Sequence, residues 1–432
     1  MSDTIRVLIY VLRWSIRAFY VCGVSLLFLT PTFASECGKS PQTLTVSLLI
    51  FSSAQREVFE EVAENFSNRC PNILVNYRST DDEGYKLASE KWLRANPDID
   101  VLLWLWSADL KMLVSDNLVE PVTDLWQERQ MQHHREDIKT FITYDHQQFA
   151  VPVSMGFWGL YYNTELFNKL GINRVESWGD LLHACKVLAR NNIVPVALGT
   201  KEKWPVFAWF DYLNLRMNGL SFHEKVMTGK VPFTDERMVA VFQQWKILID
   251  SNCFLGNAEQ YTDKQVVPLL FRQQAGVILS GNYVISQLPE YMRMSIEFTP
   301  FPSVYDNVNK YEISTVDYFI ISSNSRNKEI AKSFLRYISS EGVQAFINER
   351  IDHLPVHPNA EISHSELVKA GSQNLSSANG LVQYFDRAVE KVYYAPFMTI
   401  LVDFVSDGDV EKAIAQLEAL RKNVFSVDSE LR

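Results

Sequence analysis

The feature that most constrains this chain is an ordered alternation of short apolar runs and amphipathic stretches. Residues 44–51, 73–77 and 100–105 read as buried strands, the last with hardly a polar residue. Between them, residues 55–68 place Val58, Phe59, Val62 and Phe66 at helical spacing, and 85–95 form a second helix. Strands alternating with helices imply an α/β fold with a mostly parallel sheet. Further helices are expected over 109–115, 178–190 (capped by Ser177), 208–217, 235–250 (capped by Thr234), 266–273, 328–339, 391–401 and 409–424. Extended segments are expected over 149–162, 195–199, 275–279, 295–300 and 315–322. Residues 361–379, rich in Ser, Asn and Gly, are the best loop candidate.

The first 34 residues read as a secretory signal peptide. Arg6, Arg13 and Arg17 precede an apolar run over 18–29, and Pro31-Thr32-Phe33-Ala34 supplies small residues for cleavage after Ala34. That run is shorter than the roughly 20 residues of a spanning helix, and no later stretch is apolar enough to cross a membrane. Cys22 and Cys37 lack the preceding small residue of a lipobox, so a soluble periplasmic protein is expected. The whole chain carries a net charge of −10 and the signal +2, so the mature part is at −12. Such acidity argues against a nucleic-acid partner. The length suits two domains. Cys37 and Cys70 fall on the same edge of a strand–helix–strand unit, so a bridge between them is geometrically reasonable. Cys185 and Cys253 either pair or stay as buried thiols, and no Cys/His spacing suits a metal.

Several stretches then match one family in order. Asn96-Pro97-Asp98-Ile99-Asp100-Val101 and Asp116-Asn117-Leu118-Val119-Glu120-Pro121 come first, then Leu160-Tyr161-Tyr162-Asn163-Thr164-Glu165-Leu166-Phe167. Glu176-Ser177-Trp178-Gly179-Asp180-Leu181 follows, then Ala275 to Tyr283, with Tyr283 where the family has Trp. Last come Ile321 to Ala331 and Leu354-Pro355. The chain resembles the extracellular solute-binding proteins of ABC importers, the maltose-binding-protein-like sugar-binding group. The resemblance implies two α/β lobes with a ligand cleft between them, a sugar ligand, permease partners, a monomer and no cofactor. It places one lobe at 35–153 plus 299–338 and the other at 154–298 plus 339–432. The last 60 or so residues match by pattern only.

Ligands of parallel α/β sheets gather beyond the carboxyl ends of strands. Ser53, Trp106 and Asp109 lie at such ends, as do Trp204, Asn282 and Tyr283; Trp158 lies on the first lobe crossing and Asp317 on the strand from Thr315. Trp106, Trp158, Trp204 and Tyr283 are candidates for stacking on a sugar's C–H face, and Asp109, Asn282 and Asp317 for binding its hydroxyls. Gly281 before Asn282 lets the backbone come close, whereas Ser52 and Ser53 serve equally well as helix caps. The same fold could take a glycerol phosphate, given Lys201 and Lys203, or a polyamine, given Asp109 and Asp317, or feed a sensor. A glycosidase would need two carboxylates flanking one bond, and Asp109 with Asp317 is the sole pair that pattern brings near. No Gly-rich phosphate loop, GxSxG elbow or HExxH is present, so no enzyme is expected.

Overall fold

The computed structural model describes residues 37–427 except 51, 81, 96–97, 106, 129–130 and 132–135. The signal-peptide expectation for 1–34 and the candidate Trp106 lie outside the described residues.

Two sheets organise the molecule. A six-stranded sheet runs in the order Leu354–Pro355, Val151–Met155, Val316–Ile321, Val101–Trp104, Gln42–Leu49, Ile73–Thr80. A four-stranded sheet runs Ile296–Thr299, Trp158–Asn163, Ala275–Gly281, Val194–Val196. Pairing is parallel among 42–49, 73–80 and 101–104, and between 194–196 and 275–281. Elsewhere in these two sheets it is antiparallel, so the expectation of mostly parallel sheets holds only in part. The reason lies in the connectivity. Trp158–Asn163 and Val316–Ile321 each follow a passage from the other sheet rather than a covering helix, and both pair antiparallel with their neighbours.

The strands Val101–Trp104, Val151–Met155, Trp158–Asn163, Ala275–Gly281 and Val316–Ile321 are buried on both faces. Leu160, Tyr162, Val277 and Leu279 enter one core with the helices Trp178–Arg190, Val206–Asn218 and Glu236–Asp250. Tyr161, Ile278 and Phe298, on the opposite face, join Val266, Val267 and Leu270 of the helix Asp263–Phe271. That is the two-residue side-chain period of a strand. The helix Trp178–Arg190 begins where its cap predicts. Ser177 Oγ accepts from Asp180 N at 3.2 Å and the Asp180 carboxylate accepts from Ser177 N at 2.8 Å. At Glu236–Asp250 the cap is Asp235 rather than Thr234, its carboxylate accepting from Arg237 N at 3.0 Å.

Two expectations are corrected. Residues 361–379 hold the helix Glu366–Ser377, whose Leu367, Val368, Gly371 and Leu375 recur at helical spacing and are buried. Its small and polar residues serve close packing: a Cβ on Gly371 would lie 2.3 Å from the Phe157 ring. The helix Glu341–Arg350 and strand Leu354–Pro355, expected in the second lobe, pack on the six-stranded sheet. Gln344 donates to Pro152 O at 3.0 Å and accepts from Val356 N and His357 N at 2.9 and 2.7 Å. Asn348 donates to Val153 O at 3.0 Å.

Disulfides join Cys37 to Cys70 and Cys185 to Cys253, with Cα–Cα distances of 5.0 and 5.3 Å. No helix among the described residues is long and apolar enough to cross a membrane.

Candidate functional site

The strand Trp158–Asn163 runs antiparallel to Ala275–Gly281, so its first residue meets the carboxyl end of its neighbour, Trp158 opposite Gly281. A Cβ at Gly281 would sit 2.7 Å from the Tyr283 ring and 3.0 Å from Trp158, so glycine is what lets both rings close in. Tyr384 stacks on Trp158 at 4.6 Å and 25°. Trp204 and Tyr283 meet Trp158 edge-on at 6.1 and 5.9 Å, and each other at 6.2 Å. The box is anchored from behind: the Tyr384 hydroxyl accepts from Ala208 N at 3.0 Å and donates to Trp204 O at 2.9 Å. Trp158 and Tyr384 are buried, whereas Trp204 and Tyr283 are half-buried. Trp158, expected as a stacking plate, thus has one face covered by Tyr384.

One carboxylate stands beside this box and another joins the sheets. Asp263 is 5% exposed and lies beside the Tyr283 hydroxyl. Burial pushes its carboxyl up to about 7; the Tyr283 hydroxyl opposes the rise and Glu202 adds to it. Asp317 accepts from Arg387 Nη1 at 3.1 Å and from Ser154 Oγ at 3.2 Å. Arg387 belongs to the short helix Phe385–Ala388, whose Phe385 stacks on Phe207 in the core of the four-stranded sheet. Asp317 lies in the six-stranded sheet, so the pair bridges the two bodies. Ser107 Oγ donates to Arg387 O at 3.0 Å, a second bridge. Asp109 is half-buried in the first turn of the helix Ser107–Ser115. Burial holds the Tyr318 hydroxyl well above its usual range, with Tyr144, Asp109 and Asp317 adding to the rise and Arg387 opposing it.

Asn282, expected to bind hydroxyls, has both amide groups engaged within the protein. It is 2% exposed, its Oδ1 accepts from Phe157 N at 3.0 Å and its Nδ2 donates to Asp352 O at 2.7 Å. Its amide therefore ties the first passage between the sheets to the segment just before the last strand of the six-stranded sheet. Ser53 is exposed in the first turn of the helix Ser53–Arg69, which Ser52 caps by accepting from Gln55 N at 3.2 Å. No cluster of three or more His, Cys, Asp or Glu among the described residues could hold a metal ion.

The ring box stands at the edge of the four-stranded sheet, and the Asp317–Arg387 ion pair joins the two sheets. Residues 52–345 match the sequence profile of the bacterial extracellular solute-binding proteins. This chain belongs to that family.

An uncharacterised ABC transporter extracellular-binding protein of Pyrococcus horikoshii is 21% identical over 412 residues, covering 92% of this chain and 91% of that one. The bacterial solute receptor AcbH, with a preference for β-D-galactopyranose, superposes with a TM-score of 0.83 at 21% identity, over 89% of this chain and 99% of its own. A chitin oligosaccharide binding protein superposes with a TM-score of 0.80 at 18% identity, over 89% and 98%. The two-lobed solute-binding fold is thereby established.

Within this solute-binding protein, sequence pattern brings Trp158, Trp204 and Tyr283 together but does not reach Tyr384 or Arg387. Both fall in the C-terminal stretch where family motifs thin out. Their one local signal is the Tyr384-Phe385 pair between Gly380 and the helix Lys391–Asp407. Nothing in that signal names Trp158 or Asp317 as partners.

Proposed function

We propose that this protein captures a small carbohydrate by hinge closure of its two lobes and presents it to the permease subunits of an ABC importer. The observation that carries the reading is the ring box. Half-buried rings such as Trp204 and Tyr283 at a sheet edge suit the apolar C–H face of a sugar, and nearby carboxylates suit its hydroxyls. Relatives named as sugar receptors share the fold, which supports the same ligand class. The lobes in this reading are 35–153 with 299–338 and 154–298 with 339–432, with 341–355 kept on the first. Export follows cleavage of a signal peptide after Ala34, the mature protein acts as a periplasmic monomer, and no covalent bond of the ligand is altered.

The test is a thermal-shift and calorimetric panel of galactose, chitin oligosaccharides, raffinose and related sugars, with small-angle scattering of each binder. A raised melting temperature and a smaller radius of gyration with at least one sugar are expected. Trp204→Ala should weaken that sugar by about 2 kcal/mol or more. Silence across the panel, or binding indifferent to Trp204, would refute the reading.

A further inference from the structure

Three passages link the two sheets, and a buried polar knot gathers them. The first runs from Met155 to Trp158, the second from Thr299 to Val316, and the third from Leu354–Pro355 to Leu381–Val382. At the knot, Arg216 of the helix Val206–Asn218 is 2% exposed and pairs with Glu312, itself 1% exposed. Arg216 Nε donates to Phe301 O at 3.2 Å and its Nη1 donates to Tyr311 O. The Tyr212 hydroxyl, one turn earlier on that helix, lies 2.9 Å from Trp158 O and 3.0 Å from Glu312 Oε2. The Tyr212 ring stacks on Phe301 at 4.8 Å and 2°. One helix thereby holds the first passage at Trp158 and the second at Phe301, Tyr311 and Glu312.

The rest of the second passage follows the same body. Trp178 N donates to Ser303 O at 3.0 Å, and Phe301 and Ile313 are buried in the core of the four-stranded sheet. Glu312–Ile313 pairs in parallel with Leu381–Val382, and Ser314 N donates to Val382 O at 2.9 Å, so the third passage is laced to the second. From Val316 the chain is a strand of the other sheet. Ser314 and Thr315 stand between these anchors. Ser314 Oγ donates to Gly156 O at 2.8 Å, and Gly156 N donates to Thr315 O at 2.7 Å. A Cβ on Gly156 would lie 2.3 Å from Thr315 Oγ1 and 2.9 Å from Asn282 Oδ1, so only glycine lets the two passages touch here.

Breaking a buried ion pair on one side strands the other charge away from water. Segments held by such bonds move as one piece, and the few residues between anchors absorb the rotation of one body against another. We infer that the second passage, through Ile313, travels with the four-stranded sheet. The turning point of the two bodies then lies at Gly156 and Ser314–Thr315, and Tyr212, Arg216 and Glu312 are the positioning residues that fix it there. The inference rests on the reading of hinge closure, and it moves 299–313 from the first lobe of that reading to the second. The ring box rides on the same body, so closure turns the six-stranded sheet against a box already assembled.

The experiment has two arms. Hydrogen exchange of the full mature protein, read by mass spectrometry, compares wild type with Tyr212→Phe, which keeps the ring on Phe301 and removes the hydroxyl. Amides of 300–313 are expected to exchange about fivefold faster or more in the variant, while those of 316–321 keep the wild-type rate. Equal acceleration in 316–321, or none in 300–313, overturns the inference. The second arm puts spin-label pairs on cysteines introduced by Tyr305→Cys, Gln243→Cys and Lys111→Cys, all at exposed positions, and reads their distances with and without each sugar of the panel. A binding sugar should change the 305–111 and 243–111 distances together and leave 305–243 as it was. A change in the 305–243 distance overturns the inference and leaves hinge closure standing. If no sugar binds, or none moves a distance, the closure reading fails, while the exchange arm still decides to which body the passage belongs.

Discussion

Replacing Asn282 with alanine separates two roles that a polar residue at a strand end can have. In the structure the Asn282 side chain accepts from Phe157 N at 3.0 Å and donates to Asp352 O at 2.7 Å, and it is 2% exposed. Alanine leaves one buried N–H and one buried C=O without these partners, in a region water does not reach. Each such group costs about 1–3 kcal/mol, so the variant should lose about 2–6 kcal/mol of stability. The Asn282 N to Phe157 O bond, 2.9 Å, survives and keeps the strand end in place. Asp352, whose φ is +56°, depends on the lost bond to hold an unfavourable backbone. The assay is equilibrium urea unfolding of wild type and Asn282→Ala, with sugar titration of both. A stability loss below about 0.5 kcal/mol, within the range of an ordinary surface change, would refute the hinge role. Lost sugar affinity at unchanged stability would restore Asn282 to the ligand.

Two further outcomes follow from the same kind of reasoning. Asp263 is an acid raised by burial, with Glu202 adding to the rise, so the native state holds its proton more tightly than the unfolded chain. Its contribution to stability is complete below the unfolded value of about 3.9 and is lost as pH rises through about 7. The urea midpoint should therefore fall between pH 5 and pH 8, and Asp263→Asn should flatten that fall; equal slopes in both proteins would refute it. Gly371→Ala places a Cβ 2.3 Å from the Phe157 ring and should cost about 1–3 kcal/mol, read as a lower melting temperature; an unchanged one would show that the helix Glu366–Ser377 moves aside freely.

The strand-end reading offered Trp158, Trp204 and Tyr283 together, because each sits at a strand end or crossing that the α/β pattern makes recognisable. It offered Asn282 for the ligand, whereas the Asn282 amide bonds Phe157 N and Asp352 O. A hinge and a cleft both lie beyond the carboxyl ends of strands, and only the partners of a side chain distinguish them. Tyr384 stayed out of reach because its stacking partner belongs to another element far back along the chain.

Local chemistry by itself determined the helix Trp178–Arg190, whose cap and stripe lie within a few residues of one another, and the alternation that makes the chain α/β. Tertiary structure decided the rest: which strands run antiparallel, that Glu341–Arg350 stays on the first sheet, that Tyr384 covers Trp158 and that Asp317 holds Arg387. Capping and periodicity act over one or two turns and leave their mark in adjacent residues. Stacking, ion pairing and strand order depend on which surfaces the folded chain brings together, and no short stretch of sequence records that.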